Sequence, residues 1–164
     1  MILRGKRLTK RDLVDGGKYP VFHGGKEPIG YYHEKNRDAN TTMIINTGDC
    51  GCVSWSDKDF WSSDGCFCVK TPQDILNKFI YYVLSNKEYE IKSKTRTAGI
   101  PTLDKKDVEN ITISIPSITR QQEIVEILDK FDTLVNDISK GLPREIELRR
   151  KHYEYYRERL VSFG

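Results

Sequence analysis

Residues 119–163 read TRQQEIVEILDKFDTLVNDISKGLPREIELRRKHYEYYRERLVSF, and the spacing of their apolar members decides the architecture of the chain. Ile124, Leu128, Phe131, Val135, Ile138 and Leu142 follow one another at alternating steps of four and three, the repeat of a coiled-coil seam. Beyond Gly141-Leu142-Pro143 the seam resumes at Ile146, Tyr153, Tyr156, Leu160 and Phe163 once a single residue is skipped. The unshifted register would bring Glu145, His152 and Arg159 inside. Gly weakens a helix interior, and Pro removes a backbone donor and clashes with the preceding turn, so the pattern predicts a long helix kinked or briefly broken at 141–143. Roughly 43 helical residues would reach about 60 Å at 1.5 Å per residue. So long an arm cannot bury both ends against the residues that precede it. The seam is therefore expected to pack on another chain or a second copy, with a hairpin folded back at Gly141 to Pro143 as the self-contained alternative.

Working outward from the helix, Ser117 or Thr119 can cap it, with Gln122 completing a capping box to Thr119. Ile111 to Ile115 reads as a strand ending at Pro116, after a short helical turn begun near Thr102 to Asp104. Residues 74–86 place Ile75, Leu76, Phe79, Ile80, Tyr82, Val83 and Leu84 at helical spacing after Thr71-Pro72. Earlier still come short strands between turn signals: Tyr19 to Phe22, Ile29 to His33, Thr42 to Asn46, Cys52 to Trp55 and Gly65 to Lys70. The expected class is α+β, a β-rich domain with packed helices over 1–116 followed by a helical arm over 117–164.

The chain has 164 residues and a formal net charge of +3, enough length for one ordinary domain and an appendage. No stretch nears the roughly 18 apolar residues of a membrane span, and Met-Ile-Leu-Arg-Gly-Lys-Arg is no secretory signal, so a cytoplasmic protein away from membranes is expected. Charge is unevenly spread. Residues 1–26 carry Arg4, Lys6, Arg7, Lys10, Arg11, Lys18 and Lys26 against Asp12 and Asp15. A second basic group, Lys92, Lys94, Arg96, Lys105 and Lys106, lies among Ser, Thr and Gly, a donor-rich setting in which phosphates can be tracked.

Cys50-x-Cys52 and Cys66-x-Cys68 invite a zinc reading, but structural zinc motifs separate paired ligands by two to four residues. A one-residue gap is what strand alternation gives when two small apolar side chains face one core, so buried free thiols are the preferred reading and no metal is expected. His23, His33 and His152 are scattered, with no nucleophile or carboxylate at a catalytic spacing. Gly24-Gly25 and Thr47-Gly48-Asp49 are turns, and no phosphate-cradling Gly motif or Asn-Pro-Pro-Tyr type element occurs. No catalytic residue and no cofactor is expected. Tyr31, Tyr32, Trp55, Phe60 and Trp61 could stack on bases, but a place in the core is the preferred reading for each of them.

Three stretches together resemble the specificity subunit of type I restriction-modification systems. They are Gly5-Lys6-Arg7-Leu8 with Lys18-Tyr19-Pro20-Val21-Phe22 and Gly30-Tyr31-Tyr32; Gly99-Ile100-Pro101-Thr102-Leu103 with Ile113-Ser114-Ile115-Pro116; and Gln121 to Val125 through Leu128-Asp129-Lys130-Phe131-Asp132. The tail, from Gly141-Leu142-Pro143 to Tyr153-Glu154-Tyr155-Tyr156, strengthens the match. The resemblance implies a target-recognition domain and a helical spacer. In that family the subunit reads DNA and docks methyltransferase subunits, while a restriction subunit cuts, so it is not itself an enzyme. Whole members hold two such domains and two antiparallel spacers, each domain reading half of a bipartite site. This chain holds one of each, which implies an isologous homodimer. DNA contacts are expected from Lys35, Asn36, Arg37, Lys58, Lys92, Lys94, Arg96 and Thr97, donor-bearing residues in predicted loops. The partner seam is expected at Ile124, Leu128, Phe131, Val135, Ile138, Leu142, Ile146, Tyr153, Tyr156 and Leu160. The alternatives are a protein-interaction fragment that binds partner subunits through its helix without reading DNA, and a zinc-stabilised RNA-binding domain.

Overall fold

Two sheets grow from the alternating apolar stretches. The computed structural model describes residues 1–161, with side chains described for 1–135 and 149–152. Strand β1 is Ile2–Arg4, β2 Tyr19–Phe22, β3 Pro28–Tyr32, β4 Thr41–Ile45, β5 Val53–Ser56, β6 Trp61–Ser62 and β7 Cys66–Val69. A four-stranded antiparallel sheet runs in the order β1-β7-β4-β5, with Ile2 opposite Val69, Met43 opposite Cys68 and Ile44 opposite Val53. The smaller sheet runs β3-β2-β6. Its β2–β6 pair is parallel, Val21 opposite Trp61, and its β2–β3 register slips between Val21 and Phe22.

The larger sheet is buried on both faces, and the alternation of each strand assigns the side chains. Ile44, Phe67 and Val69 face helix α1 (Asn77–Asn86), α2 (Glu88–Ser93) and α3 (Lys105–Glu109), in a core with Phe79, Ile80, Leu84, Ile91 and Val108. Met43, Ile45, Cys66 and Cys68 point the other way, against Phe22 and Phe60. Under the small sheet lies a third cluster of Leu8, Val21 and Trp61. The two thiols of β7 are thus core side chains, and burial pushes Cys66 up to about 12, out of thiolate range.

Helix α4 spans Ile118–Val161, about 66 Å at 1.5 Å per residue. It runs through Gly141 and Pro143 without interruption, so neither the expected break nor the hairpin it would allow is found. At the start of α4 the Ser117 hydroxyl accepts from the Arg120 N–H at 3.4 Å, in place of the expected capping box between Thr119 and Gln122. The residue that anchors the helix is Gln121, fully buried. Its Oε1 accepts from the Leu76 N–H at 2.9 Å, while its Nε2 donates to Asp74 O at 3.1 Å and Pro116 O at 2.9 Å. Residues 111–116 form no strand: Ile111 and Ile113 pack on the core, but no ladder partner lies beside them. The chain divides into two compact units, Met1–Val125 and Glu126–Gly164. Among the described residues no helix is long and apolar enough to cross a membrane.

Candidate nucleic-acid interface

Lys35, Asn36 and Arg37 follow β3 in a loop that closes on itself. The Asn36 carboxamide spans the Ser62 backbone, Nδ2 donating to its carbonyl at 2.9 Å and Oδ1 accepting from its N–H at 2.7 Å. Arg37 turns inward, its guanidinium donating to Asn36 O at 2.6 Å and Arg4 O at 2.9 Å. Both side chains are committed to shaping the loop. Lys35 sits between Asp38 at 2.9 Å and Asp59 at 2.7 Å; these hydrogen bonds, Asp59 first, raise its pKa well above that of an ordinary lysine. A phosphate arriving there meets two carboxylates as well as the ammonium.

The second predicted group is divided in the same way. Lys92 is paired with Glu88 at 2.9 Å, and Glu88 also accepts from Lys26 at 3.0 Å and the Val53 N–H at 2.8 Å. Burial alone would push the Glu88 carboxyl up. The Val53 N–H, Lys92 and Lys26 outweigh it and hold the group below its ordinary value. Arg96 pairs with Asp104, and its backbone exchanges hydrogen bonds of 2.9 and 3.1 Å with Thr102, stapling the base of an exposed loop that holds Thr97, Gly99 and Ile100. Gly99 turns the tip at φ +94°, a conformation open to glycine. Lys58, on the turn after β5, and Lys94, at the end of α2, enter no ion pair among the described residues.

Cations without a carboxylate concentrate at the amino terminus. Arg4, Lys6, Arg7, Lys10, Arg11 and Lys18 are exposed and form no ion pair among the described residues. The charge run in the sequence marks this stretch but nominates none of it for DNA, because run length alone does not separate a solvated face from a binding one. The fold also carries Arg4, on β1, to a cavity that Lys105 and Lys106 of α3 line as well.

The apolar face of α4 divides at Ile124. Ile124 and Val125 pack on the domain's own core, Leu128 is half-buried, and Ile127, Phe131, Leu134 and Val135 stand 50–63% exposed. Side chains at Ile138, Leu142, Ile146, Tyr153, Tyr156 and Leu160 lie outside the described residues. Exposed apolar positions at 127, 131, 134 and 135 make a stripe wider than a strict two-residue seam.

One cluster resembles catalytic machinery until its geometry is read. His23 Nδ1 lies 3.2 Å from Ser63 Oγ and 3.4 Å from Asp64 Oδ1, neighbours that sequence spacing does not reveal. A relay needs base and orienting acid on opposite ring nitrogens, whereas both partners here meet the same one. Ser63 is fully buried, donates to Asp64 at 3.1 Å and accepts from the Leu8 N–H at 3.2 Å. Its hydroxyl ties three segments together and reaches no solvent. Among the described residues no three His, Cys, Asp or Glu side chains are placed to share a metal ion, and Cys50 donates its Sγ–H to Pro101 O at 2.9 Å.

A family model for the type I restriction modification DNA specificity domain matches residues 1–148. The chain belongs to that family. A 93-residue stretch is 50% identical to the specificity subunit of the EcoR124I/EcoR124II type I restriction enzyme of Escherichia coli, covering 56% of this chain and 23% of that protein. A putative type I restriction enzyme specificity subunit of Haemophilus influenzae is 42% identical across 97% of this chain and 45% of its own length. In structure, the type I S subunit from M. genitalium superposes with a TM-score of 0.73 at 26% identity, over 85% of this chain and 38% of the other. This specificity-family chain therefore spans about half or less of the length of these relatives.

Proposed function

We propose that this chain is the specificity subunit, or a half-subunit, of a type I restriction-modification complex and reads one half of a bipartite site on double-stranded DNA. Its arm docks methyltransferase subunits, and through them the restriction subunit, and it works as an antiparallel homodimer rather than as a catalyst. The observation that carries the reading is the pairing, in one specificity-family chain, of a β-rich domain rich in unpaired cations with a helix whose Ile127, Phe131, Leu134 and Val135 face solvent. In this division of labour the recognition domain ends near 116, and the first turns of α4, to Val125, stay packed against it before the docking arm begins. In the recognition domain, Lys58, Lys94 and Thr97 supply contacts together with Arg4, Lys6 and Arg7. Lys35, Lys92 and Arg96 exchange their carboxylates for phosphates on binding, and Asn36 and Arg37 hold the loop in shape. Exposed apolar side chains spaced along one face gain by pairing with their own copy, since a twofold places the same stripe on both partners.

Light scattering on the purified protein tests the assembly. The expected mass is twice 19.0 kDa, falling to one chain in Phe131→Glu and Val135→Glu, whose positions are too exposed to disturb the domain core. A wild-type monomer defeats the homodimer, and a dimer indifferent to both charges places its interface elsewhere.

A further inference from the structure

The cavity between the end of β4 and the start of α3 has a volume of about 580 Å³, and its lining includes Arg4, Asn46, Thr47, Thr102, Lys105 and Lys106 together with one carboxylate, Asp104, which is paired with Arg96. It joins the two basic stretches of the sequence, which lie at opposite ends of the domain's chain. Lys105 is occupied by Glu109 at 3.3 Å, while Arg4 and Lys106 are exposed cations without an ion pair among the described residues. Asn46 is the unusual member. Its backbone is fixed, the N–H donating to Gly65 O at 3.0 Å and the carbonyl accepting from the Leu103 N–H at 3.0 Å. The residue is only 4% exposed, and its Oδ1 is buried without a hydrogen-bond partner. A buried acceptor left unmatched is destabilising, and native structures rarely keep one without a reason.

We propose that this cavity holds one nucleotide of the bound DNA, its phosphate on Arg4 and Lys106 and an N–H of its base on the Asn46 carboxamide. The inference rests on the DNA-reading proposal above. A backbone phosphodiester alone would satisfy the cations but offers the Asn46 Oδ1 no donor, whereas a whole nucleotide carries the anion and an amino or ring N–H donor together. The volume falls within the range of roughly 300–1,000 Å³ usual for small-molecule sites. Because Oδ1 is closed to solvent as it stands, binding requires the Asn46 carboxamide to turn about its broad terminal torsion. Thr47 and Thr102 add hydroxyl donors on the same wall, and their backbones are already bridged to each other.

The test is fluorescence anisotropy with a labelled duplex of random sequence over a salt series, comparing wild type with Arg4→Gln/Lys106→Gln, Asn46→Ala and Lys70→Gln, the last an exposed cation outside this cavity. The double variant should lower the slope of log K against log salt by about one for each phosphate it no longer neutralises. Asn46→Ala should weaken binding several-fold at unchanged slope, and Lys70→Gln should match wild type. If wild type binds and the double variant keeps its slope, or Lys70→Gln falls equally, the cavity assignment is overturned while DNA binding stands. If wild type does not bind the duplex, both proposals fall. Should Asn46→Ala not fold, the surface pair decides alone, because its side chains lie outside the core.

Discussion

Glu88 gathers three donors, the Val53 N–H, Lys26 and Lys92, around one carboxylate and so ties α2 to the edge of the larger sheet. Because these contacts favour the ionised form, its folded pKa lies below the ordinary glutamate value of about 4.3. The stability it contributes is complete above that value and is lost as pH falls through the lower folded pKa. Glu88→Gln should therefore cost on the order of 1 kcal/mol at neutral pH, with the gap to wild type closing below about pH 4. Urea unfolding at a series of pH values checks this; a gap that stays constant with pH would refute the assignment. The same residue explains why Lys92 looks different in sequence and in space. Charge counting sees a cation in a donor-rich loop, and the carboxylate that occupies it is visible only once α2 has folded. Lys35 repeats the lesson through Asp59, which arrives from the far side of β5.

At the scale of elements, Gln121 joins the start of α4 to the start of α1 through three hydrogen bonds to backbone groups. Gln121→Ala would leave the Leu76 N–H and two carbonyls unmatched, and its expected cost is about 1–3 kcal/mol, read as a lower urea midpoint. An unchanged midpoint would mean that water replaces the side chain freely. The sequence locates β2, β3, β4, β5, β7 and α1 to within a few residues, since alternation and helical spacing are written locally. It misses β1, β6 and α2. β1 and β6 are too short to alternate, and they owe their existence to partners distant along the chain, Ile2 with Val69 and Trp61 with Val21. The strand expected at Ile111 to Ile115 fails for the converse reason, because alternation reports which side chains are buried and not whether a neighbouring strand is present.

Across the whole molecule, the double-sided burial of the larger sheet sets stability. Ile44 is fully buried in the core that joins sheet and helices, so Ile44→Ala should cost about 2–5 kcal/mol and move the urea midpoint without altering the slope. A loss under about 1 kcal/mol would mean that the sheet and helices relax to refill the space. Of the candidate interface, the loops are legible in the sequence but the division between committed and available cations is not, since it depends on which carboxylates the fold brings near. The small parallel pair and the β1–β7 pair have a further consequence during synthesis. With chain emerging at about 5–20 residues per second, the apolar Ile2-Leu3 segment waits for several seconds until residue 69 leaves the ribosome. Strand β1 is thus made well before the strand it pairs with, an interval in which a chaperone can reach it before its own sheet does.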